Sequence, residues 1–565
     1  MTQHTSQFGY RRHPDQERPA GNAAHHPVVV VGAGPVGLSL AIDLAQRGEA
    51  VVLLDDADRI GEGSRAICFS KRSLEYWDRL GVGQRMVDKG VVWSVGKIFH
   101  GDRQLYQFNL LPEDGHKMPA FINLQQFYAE AYLVDRVKQL PGVDLRWRNK
   151  VTALEQRNDH VLLSIETPDG PYRLSAAYVV ACDGARSSLR GMVGADFQGQ
   201  VFEDQFLIAD VRMSAEFPTE RWFWFDPPFH SGRSALLHRQ PDDVWRIDLQ
   251  LSPDADAAVE RRPENVRPRI ARMLGHDQFE FEWISIYKFQ CRRMARFIHD
   301  RVIFAGDSAH QVSPFGARGA NSGLEDAENL AWKLARVLRR QSPEKLLESY
   351  HIERSLAADE NIRESTRSTD FMAPVTKQEA RLRKAVLALA QDTDFGKRMI
   401  NGGRRSTPRN VDAGCAVAGA RRRYISHRRV LCRRQDVHVA AIRQRRSHRN
   451  AGRGGYDTYR QAGRSDRRER HHRRALRCAT GCGLPVPPRW LRGGTIPETH
   501  ACGDRSRVQT CLCGRLRGAM SLSTTSNFPK PDDAFRMVVE AHRGLDDDSS
   551  AALDAALVLI LANHI

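Results

Sequence analysis

Val28-Val29-Val30-Val31-Gly32-Ala33-Gly34-Pro35-Val36-Gly37 is the stretch that decides the fold. Four consecutive valines suit a strand buried on both faces, because branched side chains pack well on a pleated surface and a parallel sheet leaves neither face to water. Leu38–Arg47 then sets apolar residues at helical spacing, and a second apolar run, Ala50–Leu54, ends in Asp55-Asp56. Strand, glycine turn, helix, strand and acid form the opening of a Rossmann-like α/β dinucleotide fold. Gly32 makes the turn, Gly34 lets the backbone approach a pyrophosphate, and Gly37 permits close helix–strand packing. Amides at the helix start hold the phosphates, and Asp55, 23 residues after Gly32, is placed to accept hydrogen bonds from an adenosine ribose.

Outward from this core, Val91 to about Ala120 reads as short β-like segments and Ile122–Lys138 as a helix. Residues 142–182 alternate as strands. From Gln198 to about Phe289 short, aromatic-rich strands dominate, with a helical patch at Pro263–Leu274. Val302–Ala305 is another buried-type strand, a Gly-rich loop leads to the helix Leu324–Arg340, and residues 343–400 are largely helical.

The 565-residue chain carries a formal net charge of +17, which by itself suggests a nucleic-acid partner. That charge is local. Residues 411–520 hold 26 Arg, no Lys and 7 Asp plus Glu, a balance of +19, and the remainder stands at −2. Seven of the ten cysteines lie in the same segment, and it contains no Phe and no sustained period. An Arg-rich nucleic-acid arm is one reading, although Tyr424, Tyr456, Tyr459 and Trp490 are its only aromatics. A zinc module is another, but Cys478-x3-Cys482 and Cys511-x-Cys513 lack the usual paired spacing. The favoured reading is translation out of frame, since a GC-rich gene read in the wrong frame yields Arg, Cys and His without pattern. Ordinary composition returns at Met520, as if a separate small protein began there and had been joined by read-through. Cys68, Cys182 and Cys291 alone make no disulfide framework, residues 1–26 do not resemble a signal peptide, and no run reaches the roughly 20 apolar residues of a membrane span. A cytoplasmic chain is expected.

Two more segments end a strand and open a helix: Cys182-Asp183-Gly184-Ala185-Arg186-Ser187-Ser188-Leu189-Arg190, and Gly306-Asp307-Ser308-Ala309-His310 running through Pro314 and Gly316 to Asn321. With these, residues 26–400 resemble the single-component FAD-dependent aromatic hydroxylases of the para-hydroxybenzoate hydroxylase fold, among them most closely the 3-(3-hydroxyphenyl)propionate hydroxylase group. The resemblance implies that Asp307 binds the ribityl chain of FAD, and that Pro314 and the loop holding Gly319 and Asn321 pass alongside the isoalloxazine ring. It implies that Asp183-Gly184 serves both FAD and NAD(P)H, and that Arg65 and Gln126 contact the cofactor. Arg318 stands where the family often has Gln. His310 invites a proton-handling role, against the plainer reading of a packing residue.

The resemblance further implies hydroxylation of a phenol with NAD(P)H and O2, in a dry pocket lined by an inserted mixed β-sheet. Trp222, Trp224, Phe225, His230, His238 and Arg246 are candidate pocket residues; Trp224, His238 and Arg246 are the substrate candidates, Arg246 as a bidentate partner for a substrate carboxylate. No catalytic residue and no metal is assigned. The expected organisation is a polar lead (1–26), an FAD-binding domain (27–90, 120–190, 292–345), a substrate-binding β domain (91–119, 191–291), a helical segment (346–408), the Arg-rich segment (409–519) and a two-helix segment (520–565). The alternatives are a flavin oxidoreductase on a non-phenolic ring or quinone and, from another class, nucleic-acid binding through 411–520. The expected partners are a small phenol, NAD(P)H, O2 and a second copy in a homodimer, with neither membrane nor nucleic acid.

Overall fold

The computed structural model describes residues 7–400, apart from 20, 62, 64 and 375, together with 553, 554 and 557. The chain divides into two units, Met1–Arg429 with Gly544–Ile565 and Val430–Arg543, and the described residues belong to the first. The readings made for 409–519 and, those three positions apart, for 520–565 lie outside the described residues.

The valine run sits in the middle of a sheet whose order is Ile298–His299, Val302–Phe304, Tyr172–Ala181, Ala24–Val31, Val51–Leu54, Val143–Arg146. Val28–Val31 pair in parallel with Val51–Leu54 on one side and with Tyr178–Ala181 on the other. Val28, Val29 and Val30 are wholly buried, and each contributes about 1.5 to 3 kcal/mol of apolar transfer. The helix Pro35–Gln46 packs against Gln126–Lys138 and Gly319–Leu338.

One expected helix start moves. Ile122 belongs to the strand Phe121–Asn123, which is paired on one edge by Cys68–Ser70 and on the other by Val91–Trp93, so the helix begins only at Gln126. Ladder bonds on both edges outweigh the local helical pattern, and they place Val91–Trp93 in this small sheet rather than with the substrate strands.

The second large sheet runs His310–Gln311, Glu280–Met294, Phe197–Arg212, Val244–Gln250, Ser234–Arg239, Arg221–Phe225, Val95–His100, Arg103–Asn109. Strand alternation gives it two unlike faces. Trp245, Ile247 and Leu249 form a core with Val266 and Ile270 of the helix Pro263–Leu274. Phe206, Phe223, Phe225 and Leu236, on the other face, cluster with Phe315.

Candidate active site

The glycine loop is built as its spacing requires. Gly32 has φ +106°, and an added Cβ would stand 2.4 Å from the Cys182 carbonyl oxygen, so only glycine serves there. A Cβ on Gly34 would meet nothing within 4 Å, which leaves open space before the start of the Pro35–Gln46 helix. No side chain caps that helix, so its first amides remain available to phosphate. Asp55 is turned partly to structure: its Oδ2 accepts from the Ala33 amide at 2.5 Å and its Oδ1 from Ala57 at 2.8 Å. Burial pushes its carboxyl up, against the pull of those two amides, and a carboxylate's four acceptor positions still leave room for a ribose.

Gln126 and Glu130 hold the following loop. Glu130, pushed up by burial, accepts from the Gly61 amide at 2.6 Å and from Gln126 Nε2 at 2.7 Å, while Gln126 Oε1 accepts from the Ala66 amide. Arg65, between these anchor points, is exposed, and its charge acts on both Asp55 and Glu130. Asp183 accepts from the Leu189 amide through Oδ2, and its Oδ1 is buried with no partner among the described residues. Gly184 follows at φ +78°, and Arg190 ties this turn to the next motif by donating to the Ser308 carbonyl.

Asp307 is exposed, and the protein packed around its carboxyl raises its pKa. Beneath it lies a buried network. Asp326 accepts from the Gly306 amide and faces His310 Nε2 at 2.6 Å through Oδ2, and accepts from Arg354 through Oδ1 at 2.5 Å. Burial pushes Asp326 up, but His310 and Arg354 outweigh it and hold it below the usual carboxylate range. His310 is therefore a locked structural partner, and the proton-handling role considered for it is not supported.

Gly316 at φ +97° and Ala317 at +53° bend the loop after Pro314. A left-handed alanine is strained by about 1 kcal/mol or more, and Asn321 helps to hold it by donating to the Ala317 carbonyl. The same amide donates to Cys68 O and accepts from the Ser70 amide and the Ser73 hydroxyl. Asn321, in the first turn of the helix Gly319–Leu338, thus latches that helix and the Ala317 turn to the strand Cys68–Ser70 and to Ser73, and Pro314 is left to present backbone. FAD fits this arrangement: uncapped helix amides with open space at Gly34 suit the pyrophosphate, and the orphaned Asp183 Oδ1 and unbonded Asp307 suit hydroxyl donors.

The second sheet meets these loops. Phe315 packs on Phe206 and Phe289 at centroid distances of 4.7 and 5.2 Å, and Arg246 donates to the Arg65 carbonyl at 2.8 Å. Of the three substrate candidates, His238 and Arg246 are cross-strand partners on this face. Trp224 is not there: it pairs with Ala235 on the opposite face and stacks on Phe99 at 5.1 Å. Strand alternation sends Phe223 inward in its place. Trp222 shares that outer face, His230 donates through Nε2 to the Gln250 carbonyl at 2.7 Å, and Phe225 faces inward with Phe223. Arg246 is not free for a carboxylate, because Asp210 already takes its Nε and Nη2 at 2.8 and 3.0 Å. His238 is 2 % exposed, with burial and then Arg221 and Arg246 driving its pKa well down, so the imidazole is neutral.

Sequence reasoning passed over Asp210, Arg221 and Asp248. For Asp248 the signal was present: polar residues at 246, 248 and 250 alternate with apolar ones at 245, 247 and 249. Among the described residues no helix is long and apolar enough to cross a membrane, and no group of three or more His, Cys, Asp or Glu is placed to hold a metal ion.

Comparison with known proteins bears on the fold and the cofactor. The model of the FAD binding domain family matches residues 25–365, and that of a protein family of unknown function matches residues 522–565. A flavin-dependent monooxygenase of Mycobacteroides abscessus is 32% identical over 58% of this chain and 70% of its own length. The 3-(3-hydroxy-phenyl)propionate/3-hydroxycinnamic acid hydroxylase of Escherichia coli is 29% identical over 66% of this chain and 67% of its own. The crystal structure of p-nitrophenol 4-monooxygenase from Pseudomonas putida superposes with a TM-score of 0.60 at 27% identity, covering 67% of this chain and all of that one. With its glycine loop, its two acid-bearing turns and its ring-side loop in these places, the chain belongs to the FAD binding domain family, as one of its flavin-dependent monooxygenases.

Proposed function

We propose that this chain hydroxylates a small phenolic compound, consuming NAD(P)H and O2. One observation carries the reading: the sheet face that meets the Arg65 and Phe315 loops combines an apolar wall with polar groups that lack partners. FAD would be held by the Gly32–Gly37 amides, Asp55, Arg65, Asp183, Asp307 and the backbone after Pro314. Bound FAD supplies the redox chemistry, drawing reducing equivalents from NAD(P)H and activating O2.

The chain's own residues do the rest. Phe206, Phe223, Leu236 and Phe315 exclude water from the ring-side space, which strengthens each electrostatic contact made there. The Arg246–Asp210 pair stiffens the sheet behind the substrate and ties it to the Arg65 loop. A phenol is common to the compounds for which the Escherichia coli and Pseudomonas putida relatives are named, and that supports the substrate class. A cytoplasmic setting goes with it, supported by the free, buried thiols of Cys68, Cys182 and Cys291.

The test is NAD(P)H oxidation by the purified, FAD-loaded chain with a panel of phenols under isotope-labelled O2. The expected result is acceleration by a phenol and one labelled oxygen atom in the product. A yellow protein that no phenol accelerates, or a product without label, would overturn the reading.

A further inference from the structure

The polar groups on the ring-facing side of the sheet are not exhausted by Arg246 and Asp210. Arg221 opens the strand Arg221–Phe225, and alternation puts it on the face of Phe223 and Phe225. Its guanidinium makes no hydrogen bond or ion pair among the described residues, yet it is near enough to act on the charge of Cys68, His238 and Asp248. Asp248 stands across from Leu236 on one side and Ile208 on the other, and Ile208 is also opposite Ser285. Asp248 Oδ1, Ser285 Oγ and His238 Nδ1 are all buried without a partner among the described residues. Buried polar atoms are seldom left so, and three on one face mark a place where a ligand supplies the partners.

We propose that Asp248 accepts the proton of a bound phenol while Arg221 holds the resulting oxyanion, an inference that rests on the hydroxylase reading above. In this step the substrate O–H bond breaks, the proton bonds to a carboxylate oxygen of Asp248, and the electron pair stays on the phenol oxygen. A phenolate pushes more electron density into its ring than a phenol does, and the ring is what must attack the activated oxygen. Arg221 is suited to the oxyanion because its charge is not already spent, whereas that of Arg246 is.

The groups that act on Asp248 come from several elements. Arg246 lies on its own strand, Asp210 on Phe197–Arg212 and Arg221 on Arg221–Phe225, while neutral His238 and the Cys68 thiol complete the surroundings. Burial raises the Asp248 carboxyl to about 6, against the pull of Arg246 and Arg221. It is thus ionised at neutral pH and basic enough to take up a proton, which is the range a general base needs.

The experiment uses the full, FAD-loaded chain with phenols of graded acidity. Asp248→Asn should lower kcat on unsubstituted phenol by about 100-fold or more, with a loss at least about tenfold smaller on 4-nitrophenol, which ionises unaided near neutral pH. The acid limb of the pH profile should vanish, and the flavin absorbance should remain. Equal losses on both phenols would overturn the proposal, because a merely structural defect does not depend on substrate acidity. Arg221→Gln provides a second reading: bound 4-nitrophenol should lose its phenolate absorbance at a pH where the parent protein shows it, and Arg221→Lys should restore most of it. Unchanged ionisation of the bound probe in Arg221→Gln would overturn the assignment of Arg221. If phenols accelerate the parent protein and the variants treat all phenols alike, only this inference falls; if no phenol accelerates the parent, the hydroxylase reading falls with it.

Discussion

Arg246 and Asp210 meet edge to edge between two neighbouring strands, Nε to Oδ1 at 2.8 Å and Nη2 to Oδ2 at 3.0 Å, with both side chains almost wholly buried. Gln240 adds a third bond to Asp210 at 2.9 Å, and the remaining guanidinium nitrogen holds the Arg65 carbonyl. Burial acts against the Arg246 cation, but Asp210 outweighs it and raises its pKa.

Breaking this pair should cost more than removing it. Arg246→Met leaves a buried carboxylate without its counter-ion, and we expect a loss of about 3 to 5 kcal/mol in urea unfolding. The double variant Arg246→Met with Asp210→Leu should lose distinctly less. Equal losses in the single and double variants would show that the packing of Arg246, not the charge of Asp210, sets the cost.

The first two glycines of the loop should separate stability from cofactor binding. Gly32→Ala collides with the Cys182 carbonyl and requires a positive φ, so it should lower both thermal stability and flavin content. Gly34→Ala meets no protein atom. Its stability should change by no more than about 0.5 kcal/mol while FAD affinity falls at least about tenfold, read by flavin fluorescence during titration.

Asp326 should govern FAD retention without touching the flavin. Asp326→Asn removes the charge that His310 and Arg354 share and loosens the Gly306 amide beside Asp307. We expect about 3 kcal/mol of destabilisation and a chain that loses its yellow colour on gel filtration. Full flavin occupancy in that variant would contradict a positioning role for the network.

Stability should also fall with pH through Asp248. Its carboxyl is raised from 3.8 to about 6 in the folded chain, so between those values the native state binds more protons than the unfolded one. The contribution is most favourable below about pH 4, is lost as pH rises through 6, and amounts to about 2 to 3 kcal/mol. Asp248→Asn should therefore be more stable than the parent at pH 8 and about equal to it near pH 4, measured by urea unfolding of the chain without added phenol.

The Arg-rich stretch makes a prediction about the gene. The family matches end at residue 365 and resume at 522, and the residues in between change abruptly to an Arg-rich composition after about 409. Translating the other forward frames of the coding DNA across 411–520 should yield Arg-poor sequence with regular apolar spacing. If neither frame does so, the segment is a genuine part of the protein, and salt-dependent nucleic-acid binding that disappears on deleting it becomes the property to measure.

Local chemistry was what made the flavin half legible. The glycine spacing, the valine run and the acid-bearing turns each act within a few residues of chain, and a strand buried on both faces announces itself by composition. The same logic fails at Ile122, where pairing with two distant strands decides the conformation. For His310 it offered the plainer reading of a packing residue but not the partner, because Asp326 lies 16 residues away in the chain and Arg354, which shares that carboxylate, 44 away.

By itself the sequence determined that this chain carries a dinucleotide fold, that it belongs with FAD-dependent proteins, and that its positive charge belongs to one segment. Those properties follow from backbone geometry and composition, which need no knowledge of distant neighbours. Only the tertiary structure decided which polar side chains of the second sheet are spent and which are free. Arg246 and Arg221 are equivalent as residues, but strand register places Asp210 beside the first and leaves the second without a carboxylate partner among the described residues. Register likewise turns Trp224 out and Phe223 in, because a strand assigns its faces by pairing with neighbours that lie far off in sequence.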